Sequence, residues 1–191
     1  MFNNHDTEVQ TPSINNTLRK TLLEQRKIFL WGPVEDSSSK DIVEQLCYLE
    51  AIEPGKPIHM YINCPGGVVT AGYAMHDMMQ AVSSPVYTYC IGFAASMGSI
   101  LLSAGEKGHR YIYPTAEVMI HQPAIGGFQA GAKDIEINAK HIMRTKETTA
   151  KILADNCGKA VKRILDDFDR DYWMNAKEAI EYGIVDKLVT N

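Results

Sequence analysis

Tyr89-Cys-Ile-Gly-Phe-Ala-Ala-Ser-Met-Gly-Ser-Ile-Leu-Leu-Ser-Ala-Gly105 is the stretch on which the reading of this chain turns. It is entered through Val86-Tyr-Thr-Tyr-Cys-Ile91, β-branched and aromatic, introduced by Pro85 and closed by Gly92, the pattern of a short buried strand. After Ser96, the apolar residues Met97, Ile100, Leu101 and Leu102 recur at helical spacing and Gly105 supplies a stop. Ser96 is therefore expected in the first turn of a helix that follows a strand. Unpaired backbone N–H groups and the positive end of the helix dipole gather there, so an alkoxide or oxyanion would be stabilised. Ala94, Ala95 and Gly98 are small enough to let a substrate backbone approach. A nucleophile elbow reads Gly-x-Ser-x-Gly, and here Ala94 takes the place of its first glycine. A serine that merely caps a buried helix would give the same local pattern.

Working outward, a helix is expected over 17–27, then a strand over 28–31 ended by Gly32-Pro33, and a helix after Ser37–Ser39 stopped by Pro54-Gly55. The strand Ile58-His-Met-Tyr-Ile62 runs into Asn63-Cys-Pro-Gly-Gly67, and a helix follows over about 70–81. Downstream, Glu117-Val-Met-Ile120 reads as a strand ending at His121-Gln-Pro123. A Gly-rich stretch over 124–131 is loop or edge strand, and a helix over 133–156 is longer than a compact domain needs. Such a helix is either a projecting arm that packs on another copy of the chain or an ordinary amphipathic surface helix. A shorter helix over 159–167, a capping box formed by Asn175 and Glu178, and a closing strand over 184–189 complete the chain. Alternating strands and helices give an α/β fold with mainly parallel strands, whose sites gather at the carboxyl ends of strands. Gly66-Gly67, Ser96 and His121 all fall at such ends.

A serine hydroxyl needs a base and a group that orients the base. Of the six histidines, only His121 ends a strand in front of a proline-fixed turn; the other five suit surface or packing roles. For the acid, Asp167, Asp169 and Asp171 stay open, each also explicable as a helix-end charge or a salt-bridge partner of Arg163 or Arg170. The order Ser, His, Asp at element termini makes a triad hypothesis. Gly66-Gly67 lacks the Lys-Ser/Thr of a phosphate loop, and suits oxyanion donation by backbone N–H or pairing with an extended peptide.

Taken together, Tyr61-Ile-Asn-Cys-Pro-Gly-Gly67, Gly92-Phe-Ala-Ala-Ser-Met-Gly98, Val118-Met-Ile-His-Gln-Pro123, Asp134-Ile-Glu-Ile137 and Asp169-Arg-Asp171 resemble the proteolytic subunit of the Clp protease, from about residue 18 to the end. The resemblance implies a Clp protease/crotonase-like fold of repeated strand-helix units: a flexible segment over 1–17, then one catalytic domain over 18–191 with a handle at about 124–156. It implies Ser96 as nucleophile, His121 as base, Asp171 as acid, and the Gly67 and Met97 N–H groups as oxyanion hole. Substrate would lie along Gly66, Val68, Gln122, Pro123, Gly126 and Gly127, while Asp169 and Arg170 would contact the opposite ring. Two heptameric rings would stack into a tetradecamer, and an AAA+ unfoldase would feed unfolded protein into it. No metal or organic cofactor is implied, ATP belonging to the unfoldase.

Departures from the family pattern are Cys64 for the usual Ser, Phe93 for the usual Gln, an extra residue at Ala124 or Ile125, and His59 and Ala81 where aromatic residues line the docking pocket. They motivate an alternative, a weakly active structural or regulatory subunit of a barrel mixed with a second, typical Clp subunit. An acyl-CoA enzyme is a third class, because the crotonase relatives also use backbone oxyanion donors; the Ser96, His121, Asp171 set and the short chain argue against it.

Composition bounds the rest. With 191 residues, 45% hydrophobic and 22% charged, the chain is expected to form one globular domain. A net charge of −4 with scattered basic residues gives no nucleic-acid or membrane-surface footprint. Four well-separated cysteines make no metal or disulfide pattern, and no signal or membrane-spanning segment is read, so a reducing, cytoplasmic location is expected.

Overall fold

The computed structural model describes residues 14–124, 126 and 131–190. Among these residues the chain forms a seven-stranded, mainly parallel sheet with helices, the α/β class expected from the alternation of elements. The parallel path runs β1 (Lys27–Trp31), β2 (Ile58–Cys64), β3 (Val86–Ala95), β4 (Arg110–Ile112), β7 (Lys187–Leu188). Off this path, β5 (Glu117–Ile120) pairs in parallel with the far end of β3, and β6 (Tyr172–Asn175) lies antiparallel to β5.

Helix α1 (Ile14–Glu24) leads into β1, so residues 14–17 of the expected N-terminal segment open a helix while 1–13 lie outside the described residues. Helices α2 (Asp36–Ile52) and α3 (Val69–Ala81) pack together, α2 also meeting β1, and α4 (Met97–Ser103) lies on β2, β3 and β5. β2 alternates: Ile58, Met60, Ile62 and Cys64 are fully buried, while His59, Tyr61 and Asn63 are half-buried. The face away from the core carries a ladder of rings, Phe29, Tyr61, Tyr89 and Tyr111, stacked at centroid distances of 5.2, 4.7 and 4.8 Å.

β3 does not close at Gly92. There the backbone takes φ +73°, which a side chain would resist, and β3 exchanges neighbours: Thr88–Cys90 pair with β4, Phe93–Ala95 with β5. The glycine bends the strand and the ladder continues because β5 supplies new hydrogen-bond partners. Helix α4 ends at Ser103 with Ala104 as its cap, so Gly105 stands just past the helix end, as expected. A Cβ on Gly105 would lie 2.4 Å from Thr88 Oγ1, so its smallness serves packing on β3. β4 and β6 were not expected, and the closing strand shortens to β7 because Ile184 and Val185 bury in the turn after Gly183.

Helix α5 (Ala132–Cys157) is about 39 Å long at 1.5 Å per residue. Its buried residues, Thr149, Ala150, Leu153 and Ala154, all lie in the C-terminal half, whereas Ile135, Ile137 and Met143 are more than half exposed. Gly158 ends it in the left-handed conformation, φ +65°. Helix α6 (Val161–Asp167) packs on α5, and α7 (Ala176–Tyr182) starts with the expected Asn175–Glu178 capping box.

Candidate active site

Ser96 sits one position ahead of the expected first turn, as the N-cap of α4, with φ +54° and ψ −122°. A non-glycine residue in that conformation is strained and must be held by its surroundings. The holding is visible: Ser96 N–H donates to Met119 C=O at 2.9 Å, extending the β3–β5 ladder through the turn. Its carbonyl accepts from Ser99 N–H at 3.0 Å and from Ser99 Oγ at 2.6 Å. Ala94, Ala95 and Gly98, expected to admit a substrate backbone, are instead buried. A Cβ on Gly98 would lie 2.8 Å from Cys64 C=O, so the glycine lets α4 close onto the end of β2.

His121 follows the last residue of β5 and reaches both ways. Its Nε2 is 2.8 Å from Ser96 Oγ and its Nδ1 is 3.0 Å from Asp171 Oδ1. An ionised carboxylate only accepts, so Nδ1 carries the imidazole proton and Nε2 accepts from the Ser96 hydroxyl. The three aspartates that chemistry left open differ in their partners. Asp167 is engaged by Arg163 Nε at 2.7 Å and by the Tyr182 hydroxyl at 2.8 Å. Asp169 Oδ1 accepts from Gln122 Nε2 at 3.1 Å and lies 3.8 Å from Lys146 Nζ. Of the three, Asp171, immediately before β6, is the one hydrogen-bonded to His121. Other histidines lie elsewhere: His59 Nδ1 meets the Tyr89 hydroxyl at 2.9 Å and His109 stacks on Tyr87 at 4.0 Å. Burial, then the Lys27 and Arg26 charges, hold the His59 pKa below its ordinary value.

Gly66 and Gly67, with φ of +92° and +146°, form a strap pressed against this turn. A Cβ on Gly66 would lie 2.6 Å from Ser96 Cβ and 3.0 Å from Met97 N, so only glycine fits. Met97 is the first residue of α4, and its N–H has no acceptor within the helix. The Met97 side chain rests where a Cβ on Gly72 would be, which anchors the helix start on α3. Beside Ser96, a small cleft of about 20 Å³ is lined by Val69, Ile100, Ile120, Pro123, Thr149 and Leu153.

The remaining expected site residues divide. Val68 is 49% exposed beside the strap, and Pro123 lines the cleft. Gln122 is occupied within the chain: its N–H donates to Phe168 C=O, its Nε2 to Asp169 C=O at 2.8 Å, and its Oε1 accepts from Lys146 Nζ at 2.8 Å. Gly126 is exposed, and Gly127 lies outside the described residues. Arg170 is 92% exposed and 3.9 Å from Asp169. Lys146 and Val34 were missed by sequence reasoning, the first because it looks like one more surface charge on a long helix. Val34 follows Gly32-Pro33 in a loop, and nothing local marks its pairing with Gly67.

Fold and site thus define an α/β protein with a serine and a histidine at the carboxyl ends of β3 and β5, hydrogen-bonded in line with an aspartate at the amino end of the antiparallel β6. The family model described as Clp protease matches residues 10–191, and the chain belongs to the Clp protease family. It is therefore a Clp-type peptidase, of a family of serine peptidases that generally assemble into rings with AAA+ partners. Among the described residues no helix is long and apolar enough to cross a membrane.

Proposed function

We propose that the chain is the proteolytic subunit of an ATP-dependent Clp protease, a serine endopeptidase that cuts unfolded proteins inside a double-ring barrel. The observation that carries the reading is the continuous relay from Ser96 Oγ through His121 to Asp171, at 2.8 and 3.0 Å. In this mechanism His121 Nε2 takes the hydroxyl proton as Ser96 Oγ attacks the scissile carbonyl. Gly67 and Met97 N–H groups hold the oxyanion, and His121 returns the proton to the leaving amine. Water then hydrolyses the Ser96 acyl ester with His121 as base again.

Assembly is supported by α5, whose N-terminal half exposes Ile135, Ile137 and Met143 and fits a handle between two heptameric rings. Exposed Arg170 next to Asp169 fits a ring-to-ring contact. The four free cysteines suit a reducing, cytoplasmic compartment.

Intact mass after incubation with a fluorophosphonate tests the reading, comparing wild type with Ser96→Ala. One adduct on wild type and none on the variant is expected, with peptide hydrolysis lost at least ~10⁴-fold. Labelling that appears only after a typical Clp subunit is added would favour the mixed-barrel role. Labelling that persists in Ser96→Ala, or is absent in both settings, sinks the assignment of Ser96.

A further inference from the structure

The Gly66-Gly67 strap is held from two sides by Val34 and Cys64, whose hydrogen bonds go to the strap itself. On its outer side, Val34 N–H donates to Gly66 C=O at 2.8 Å and Val34 C=O accepts from Val68 N–H at 2.8 Å. This parallel bridge turns Gly66 C=O and Val68 N–H towards Val34, and so leaves the Gly67 N–H on the opposite side of the strap. Val34 is 1% exposed, and a Cβ on Gly67 would lie 2.2 Å from its carbonyl oxygen, so the bridge is closely packed.

On the inner side, Cys64 Sγ accepts the Gly66 N–H at 3.3 Å. The same thiol would lie 3.2 Å from a Cβ on Gly98, so it is wedged between the strap and the first turn of α4. Those two segments carry the Gly67 and Met97 N–H groups. Burial raises the Cys64 thiol pKa against the opposing pull of the Gly66 and Val34 N–H groups, so it stays a neutral acceptor and spacer.

We propose that Val34 and Cys64 form a two-sided clamp that aims the Gly67 N–H at the developing oxyanion, making both positioning residues for peptide-bond hydrolysis. The proposal rests on the peptidase reading above.

The test uses the assembled full-length protein with a fluorogenic peptide amide and a peptide aldehyde. The aldehyde adduct on Ser96 carries an oxyanion where Gly67 and Met97 would bind it. Removing an oxyanion donor outright costs 10²–10³ in kcat, and a misaimed donor is expected to cost less, about 10-fold in Cys64→Ala. KM should stay within about twofold while the aldehyde inhibition constant rises by the same factor as kcat falls. Cys64→Ser, whose hydroxyl can accept the Gly66 N–H, should return to within about threefold of wild type. Val34→Pro, which deletes the N–H donated to Gly66, should repeat the Cys64→Ala signature from the other side. Should Cys64→Ala fail to fold, Val34→Pro carries the same two readouts. Unchanged kcat in folded Cys64→Ala and Val34→Pro, or a change confined to KM, overturns the clamp. Fluorophosphonate labelling run in parallel separates the two levels: Ser96-dependent labelling with unchanged kcat overturns the clamp alone, and no Ser96-dependent labelling overturns the peptidase reading with it.

Discussion

Ser96 and Asp171 are two hydrogen bonds apart, yet they are held by different means. Ser96 stands between a buried strand and a helix in which every residue is buried, its strained backbone fixed by Met119, Ser99 and the Gly66 strap. Asp171 belongs to a short loop between α6 and β6, with a side chain 62% exposed. That loop is secured by Gln122 and Lys146, reaching from the other side of His121 and from α5. The contrast separates two jobs. Ser96 is positioned by close packing, which tolerates no added atom, whereas Asp171 is positioned by tethers that can slacken without unfolding the domain.

Three substitutions sharpen or break that contrast. Asp171→Asn should give the largest loss, about 10⁴-fold in kcat through the wrong imidazole tautomer, with thermal stability unchanged. A fall in melting temperature of more than a few degrees would mean that Asp171 also serves the core. Gly98→Ala should damage both properties, since its new Cβ would lie 2.8 Å from Cys64 C=O. We expect destabilisation of about 1–3 kcal/mol in denaturant unfolding, accompanied by lower kcat; wild-type stability would show that α4 can move away from β2 freely. Gln122→Ala should have the smallest effect, about 5-fold in kcat with KM and stability near wild type, because it cuts one tether and leaves Asp171 itself. A shift in KM alone would show instead that Gln122 touches substrate.

The packed end was largely legible in the sequence and the tethered end was not. A β-branched strand, small residues and a helical apolar repeat marked the Ser96 turn because packing demands a local pattern. His121 was marked by its strand end and by Pro123. The choice among Asp167, Asp169 and Asp171 was open on chemistry, since three like carboxylates spaced two apart carry no local signal. Family resemblance pointed to Asp171; in the folded chain Asp167 bonds to Arg163 and Tyr182 and Asp169 to Gln122, and of the three Asp171 is the one bonded to His121. The readings that failed did so where tertiary contact changed a residue's task. Gly92 bends a strand because a second partner waits beyond it, and Ala94, Ala95 and Gly98 are small for the core's sake.

From the sequence alone came the α/β class, most of the helices, the long α5 and the Ser96–His121 pair, all set by short-range periodicity and turn chemistry. The pairing of Val34 with Gly67, the contact of Cys64 with both strap and helix, the engagement of Gln122 and Lys146, and the distance from Asp171 to His121 were decided in the folded chain. Each joins segments through a particular backbone direction or side-chain reach, a quantity that composition and local periodicity do not encode.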